Sequence, residues 1–168
     1  MKKWLCVMAI STLVFAGCKK DEGCKSVTPT TFASASETSY LQNYLTANAL
    51  TATEKNGMFY SIATQGNGSS PNQCSSINLT YTGTLITGTT DGGTFDATPA
   101  GQTNTFTLSG LIEGWRIIFP LVKAGGTVTL YIPPSLAYGA QSQPARPGFV
   151  ALPANSYLKF VVSLKAVN

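Results

Sequence analysis

Apolar positions along the chain fall into two rhythms after an apolar leader. Tyr40, Leu41, Tyr44 and Leu45 recur at three- and four-residue intervals and predict a short helix from about Ala35 to Ala47. Ser34-Ala35-Ser36-Glu37 stands at its start with capping-box spacing, in which Glu37 reaches back to the Ser34 amide. Further on the rhythm changes to alternation. Met58–Ile62, Ile77–Leu85, the short Thr105–Leu108, Thr127–Ile132 and Tyr157–Ala166 all read as strands. Residues 65–73 form a Gly/Ser/Pro/Asn loop, and Asp91-Gly92-Gly93 and Gly125-Gly126 carry turn signals. Ile112–Val122 is apolar nearly throughout and predicts one short buried helix. Pro120 lacks an amide proton and clashes with the preceding turn, so the helix is expected to stop or kink there. The pattern is an α+β arrangement: an antiparallel sheet wrapped around one short helix, with an N-terminal helical extension.

The leader is different in kind. Lys2 and Lys3 precede a short apolar run that ends in Ala16-Gly17, too short for a stable span and of the form of a signal peptide over residues 1–17. Val14-Phe15-Ala16-Gly17-Cys18 resembles the lipobox of bacterial lipoproteins, where cleavage precedes an acylated cysteine. That resemblance makes Cys18 the lipidation site and a membrane the partner of the N-terminus, since several acyl chains together hold stably. It implies an exported chain at the outer membrane, on its periplasmic side or the cell surface. Lys19-Lys20-Asp21-Glu22 reads either as a solvated charged linker or as a sequence similar to the surface-export signal of some outer-membrane lipoproteins. Residues 18–35 are then anchor and tether, and 36–56 the helical extension. With Cys6 removed and Cys18 acylated, Cys24 and Cys74 are left either as a disulfide or as two free thiols. A disulfide over so long a loop stabilises by about 4 kcal/mol in the chain-entropy model.

Composition narrows the chemistry. Charged residues make up 11% of the chain, too few for an acidic disordered segment, and Thr, Ser, Gly and Asn abound as in extracytoplasmic β-rich proteins. The formal charge of +4 falls to +2 once Lys2 and Lys3 are gone, leaving nine basic against seven acidic residues. The basic residues are scattered rather than striped, which gives no footprint for nucleic acid. Histidine is absent, which excludes Ser-His-Asp and Cys-His catalysis and any His-ligated metal.

Seven motifs and a closing strand occur in order over residues 57–168. They are Leu79-Thr80-Tyr81-Thr82-Gly83-Thr84-Leu85, Gly93-Thr94-Phe95-Asp96, Leu111-Ile112-Glu113-Gly114-Trp115 and Val122-Lys123-Ala124-Gly125-Gly126. Tyr131-Ile132-Pro133, Leu136-Ala137-Tyr138-Gly139 and Leu152-Pro153-Ala154-Asn155-Ser156 follow, and Leu158–Leu164 closes the series. Each is weak alone, but in this order they resemble the FKBP-type peptidyl-prolyl cis–trans isomerases. The resemblance implies an apolar pocket with Trp115 as floor and Tyr81, Phe95, Leu111, Ile112, Tyr138 and Phe160 as walls. Asp96 would stand at the rim beside Tyr81, and Leu152 would contact substrate. For any one aromatic, ordinary core packing is the simpler reading. No arginine lies between Asp96 and Trp115 to pair with the carboxylate, and in the segment from Phe95 to Leu111 no second aromatic stands at the place where some members of that family have one. The loop Ala140–Ala151 is long, and its Phe149 either adds an apolar contact to the pocket or is tucked under a surface loop.

The resemblance implies proline-containing polypeptide clients, macrolide inhibitors as possible ligands, and neither cofactor nor metal. Rotation about an X–Pro bond must overcome a barrier of about 18–20 kcal/mol set by amide resonance. An apolar pocket weakens that resonance without a nucleophile. The Ile112 amide and Tyr138 hydroxyl would donate to substrate carbonyls, with Asp96 tuning local polarity rather than acting as a base. Two other readings stay open: a non-catalytic binding or chaperone module on the same fold, and a structural or adhesive surface lipoprotein.

Overall fold

A computed structural model describes residue 27 and residues 29–168. The expected signal peptide, the lipobox with Cys18, and Cys24 lie outside the described residues. Cys74 is disulfide-bonded, with a partner outside them too.

Helix α1 spans Ala35–Ala47 and carries the full capping box: the Ser34 hydroxyl accepts from the Glu37 amide while Glu37 accepts from the Ser34 amide at 2.9 Å. Strands β1 (Thr53–Lys55) and β2 (Met58–Thr64) form a hairpin, followed by β3 (Ser76–Thr87), β4 (Thr90–Ala97) and β5 (Asn104–Thr107). Helix α2 (Glu113–Ile118), β6 (Thr127–Ile132) and β7 (Tyr157–Val167) complete the chain. All pairings are antiparallel, in the order β1-β2-β6-β7-β3-β4. β5 pairs with the N-terminal half of β3, on the edge whose other half β4 occupies. The sheet has one face on α2 and the other on α1.

Alternation along the strands explains both faces. On β7, Leu158, Phe160, Val162 and Leu164 join the core around Trp115, Ile118 and Phe119 of the α2 segment. On the opposite face Leu41, Tyr44 and Leu45 of α1 pack on Phe59, Ile86 and Tyr131. The side chains at Tyr40 and Tyr157 stack there with centroids 3.9 Å apart. A helical stripe of four residues therefore covers part of the sheet that would otherwise lie bare.

One expectation is met and two are corrected. The helix in the run 112–122 stops just ahead of Pro120: α2 ends at Ile118 and Phe119–Leu121 tightens into a 3₁₀ turn. Pro120 sits within the first two residues of that turn, where its missing amide costs no bond. Asp91-Gly92-Gly93 is not a turn but the start of β4; the chain reverses at Gly88-Thr89, with Gly88 at φ +60°. A bulge against Leu85 takes up the extra residue, since Thr84 faces Thr94 and Ile86 faces Asp91. Finally, β1 lies in the stretch read as part of the helical extension, yet it forms the edge of the sheet.

Candidate active site

Tyr81 stands on β3 where the neighbouring edge changes from β4 to β5. The gap is closed locally: the Thr98 amide donates to the Tyr81 carbonyl at 2.9 Å, and the Tyr81 amide donates to the Thr98 hydroxyl at 3.0 Å. Next to it a second bulge reshapes β4. Gly83 faces Asp96 and Thr84 faces Thr94, which leaves Phe95 as the extra residue. Successive strand residues normally point to opposite faces. The bulge instead allows Phe95 to enter the core while Asp96 borders a cavity beside it.

That cavity measures about 240 Å³ and is lined by Tyr81, Asp96, Phe106, Gly110, Leu111, Ile112, Trp115, Tyr138 and Phe160. Trp115, 4% exposed, is brought up by α2, whose first turn begins at the Ile112 N-cap. Its ring lies nearly perpendicular to Tyr81 (5.5 Å, 85°) and to Phe160 (5.1 Å, 86°). Phe160 is in turn perpendicular to Phe95 at 5.5 Å. Such edge-to-face contacts fix ring orientation beyond mere burial. Gly83 makes the cluster possible: a Cβ there would lie 2.8 Å from both the Phe95 and Phe160 rings. The Trp115 indole nitrogen is buried without a hydrogen-bond partner among the described residues.

The polar rim is a chain of three groups. The Tyr81 hydroxyl donates to Asp96 Oδ2 at 2.6 Å, and Arg146 Nη2 donates to Asp96 Oδ1 at 2.8 Å. Arg146 also reaches the Phe95 carbonyl at 3.3 Å, and its guanidinium lies over the Phe149 ring at 5.3 Å. Burial, then the hydrogen bond to Asp96, pushes the Tyr81 phenol well above the ordinary tyrosine range. Burial, then the nearby Asp96 charge, also raises Tyr138. Both hydroxyls are therefore donors, not phenolates, at neutral pH.

The loop 140–151 presents that arginine through its own backbone. Arg146 and Phe149 bridge across Pro147-Gly148, with Gly148 at φ +82°, a conformation glycine adopts without Cβ strain. Gln143 pairs with Leu152, and the Val150 amide donates to Thr94 at 2.9 Å. Gly93 gives the loop its seat, because a Cβ there would come within 2.5 Å of the Val150 side chain.

Of the residues singled out in the sequence, Tyr81, Asp96, Leu111, Ile112, Trp115, Tyr138 and Phe160 line the cavity. Phe95 and Leu152 are core residues behind it, and Phe149 packs under Arg146 instead of lining it. Phe106 and Gly110 line the cavity without having been singled out. Phe106 stands alone in a Thr-rich run on β5, where only its pairing with Ile77 on β3 reveals which way the strand faces.

Residues 68–165 match the family model described as FKBP-type peptidyl-prolyl cis-trans isomerase. The chain is 36% identical over 117 residues to the FKBP-type peptidyl-prolyl cis-trans isomerase FkpA of Escherichia coli strain K12, covering 69% of this chain and 40% of that one. It is 40% identical over 87 residues to the outer membrane protein MIP of Legionella longbeachae, covering 51% and 36%. A crystal structure of a peptidyl-prolyl cis-trans isomerase from Pseudomonas syringae superposes with a TM-score of 0.63 at 25% identity, over 82% of this chain and 98% of that one. The chain thus spans well under half the length of these two curated relatives.

Proposed function

The chain belongs to the FKBP-type peptidyl-prolyl cis–trans isomerase family, and from that premise we propose that it isomerises X–Pro bonds in exported polypeptides. The observation that carries the reading is the aromatic cavity with a hydrogen-bonded carboxylate at its rim. A proline ring fits against an indole floor enclosed by Tyr81 and Phe160. Transfer of the imide out of water disfavours its charge-separated resonance form, so the partial double bond weakens as it twists. A transition state favoured by about 5 kcal/mol would accelerate rotation several thousandfold.

Each residue has a part in that step. The Ile112 amide lies at the N-cap of α2, outside the helical ladder, where it can donate to a substrate carbonyl. The Tyr138 hydroxyl donates to a second carbonyl. Asp96, held by Tyr81 and Arg146, sets the field around the rotating carbonyl rather than acting as a base. Phe95 and Leu152 support the rings from behind, and Phe149 steadies the guanidinium. Macrolides are the expected inhibitors.

The same proposal extends to placement. Residues 1–17 act as signal peptide, Cys18 carries the lipid, and residues 18–35 tether an extension over 36–56, whose last strand, β1, joins the sheet of the isomerase domain over 57–168. Cys24 is the proposed partner of Cys74. Its site of action is the outer membrane, on the periplasmic or outer side.

A refolding assay limited by prolyl isomerisation, or a protease-coupled assay on X–Pro peptides, tests the activity. The purified protein should accelerate both. Absence of any rate above background would sink the enzyme reading, and peptide binding without acceleration would replace it with a binding or chaperone module.

A further inference from the structure

One carboxylate in the N-terminal extension serves two elements at once. Glu37 Oε2 accepts from the Ser34 amide and hydroxyl, both at 2.9 Å, and so caps α1. The same side chain crosses to the segment before Tyr138: Oε1 accepts from the Ser135 amide at 3.0 Å and Oε2 from the Ser135 hydroxyl at 3.0 Å. Ser135 belongs to the 3₁₀ turn Pro134–Leu136, whose first amides have no partner within the turn. Pro134 has no amide proton to cap, so Ser135 supplies the first one. Glu37 satisfies it from ninety-eight residues away.

The turn leads directly to the cavity. Leu136 is fully buried and anchors one side, while the Gly139 amide closes back on the Pro134 carbonyl at 2.9 Å. Tyr138 lies between these two fixtures and lines the cavity. The strap preceding α1 touches the opposite wall as well. The Thr31 hydroxyl donates to Glu113 Oε1 at 2.7 Å, next to Ile112, and the Asn56 side chain and Ala33 amide fasten residues 31–33 to the β1–β2 turn.

We infer that Glu37 is a positioning residue for the cavity, holding Tyr138 in place through Ser135, and that the extension is a brace across both walls rather than a passive spacer. The inference rests on the isomerase reading for its effect on rate. Its effect on Tyr138 does not require that reading. The role is electrostatic as well as steric, because burial raises the Glu37 carboxyl while the Ser34 and Ser135 hydrogen bonds more than offset it, leaving the pKa lowered.

The test combines kinetics with fluorine NMR of the full chain labelled with 3-fluorotyrosine, Tyr138 being assigned by its loss in Y138F. In E37Q and S135A the Tyr138 resonance should move or broaden, and kcat/KM should fall about fivefold. N48A, which removes the side-chain bonds from Asn48 to the Tyr44 and Thr89 carbonyls at the C-terminal end of α1 without touching Glu37 or Ser135, should lower thermal stability but leave the resonance and kcat/KM at wild-type values. In a Y138F background E37Q should lose most of its effect on rate, which a general loss of stability would not do. An active wild type whose Tyr138 signal and kcat/KM ignore E37Q overturns the inference alone, as does N48A matching E37Q in both readouts. An inactive wild type overturns the isomerase reading, and an unmoved Tyr138 signal in that case overturns this one too.

Discussion

Arg146 reaches Asp96 across fifty residues of sequence and closes a charged hydrogen bond of 2.8 Å at the cavity rim. The guanidinium is 54% exposed and the carboxylate 29%, so the pair adds only about 0–1 kcal/mol to stability. Its effect belongs to the site. Arg146→Gln should leave the thermal midpoint nearly unchanged while lowering kcat/KM several-fold. Raising salt toward 1 M screens exposed charges to a Debye length of about 3 Å, and should bring the wild type toward the variant. A variant with wild-type kcat/KM at low salt would remove Arg146 from the site.

Asp96→Val and Trp115→Leu probe the cavity directly. Asp96→Val strips the Tyr81 hydroxyl of its acceptor, and an unsatisfied, partly buried hydroxyl costs about 1–3 kcal/mol. Trp115→Leu empties the floor at a stability cost below the about 3–5 kcal/mol of a full truncation to alanine. Both should remain folded, and each should lose on the order of tenfold or more in kcat/KM, since tenfold corresponds to about 1.4 kcal/mol. Circular dichroism verifies the fold and the X–Pro peptide assay reads the loss.

What was legible in the sequence was the part with a local cause. The capping box and the Tyr40, Leu41, Tyr44, Leu45 spacing predict α1 to its ends, and alternation predicts β6 at the same six residues. The misreadings have non-local causes. Asp91-Gly92-Gly93 is composed like a turn, but Tyr44 from α1 and Lys159 from β7 both fasten Asp91, and the glycines absorb a bulge. No arginine stands close to Asp96 in sequence, whereas the fold brings in Arg146 from the loop between β6 and β7, fifty residues on. Phe106 shows no periodicity of its own. The site motifs themselves were legible as a set because each pocket element carries its own short signature.

Gly83→Ala tests whether the ring cluster depends on a missing Cβ. The new methyl would press on Phe95 and Phe160 at 2.8 Å each, and both rings are already held edge to face. Overpacking of this kind costs about 1–3 kcal/mol. Because Phe160 lines the cavity and cannot yield without moving, kcat/KM should fall together with stability. Denaturant titration and the peptide assay would measure both, and a fully active, equally stable variant would show that the rings have room to spare.

Docking of α1 should confine stability to a pH window with two chemically distinct edges. The Tyr44 hydroxyl donates to Asp91 Oδ1 at 2.6 Å, and Lys159 pairs with the other Asp91 oxygen. Burial raises the Asp91 carboxyl, but its hydrogen bonds to Lys159 and Tyr44 more than offset that, so its folded pKa lies below the ordinary 3.8. The unfolded chain then takes up the proton first. This stabilisation is complete above the unfolded value and is lost as pH falls through the folded one. For Tyr44 the sign reverses. Burial, then the hydrogen bond to Asp91, raises its pKa above the ordinary 10.0, so its contribution is complete below that value and is lost as pH climbs toward the folded pKa. The thermal midpoint of the wild type should therefore decline below about pH 4 and above about pH 10. Asp91→Asn should flatten part of the acid decline, where Glu37 also contributes, and Tyr44→Phe should flatten part of the alkaline one, which Tyr81 shares. Calorimetric scans from pH 3 to pH 11 would read both slopes, and an acid slope unchanged in Asp91→Asn would rule out Asp91 as a source of that edge.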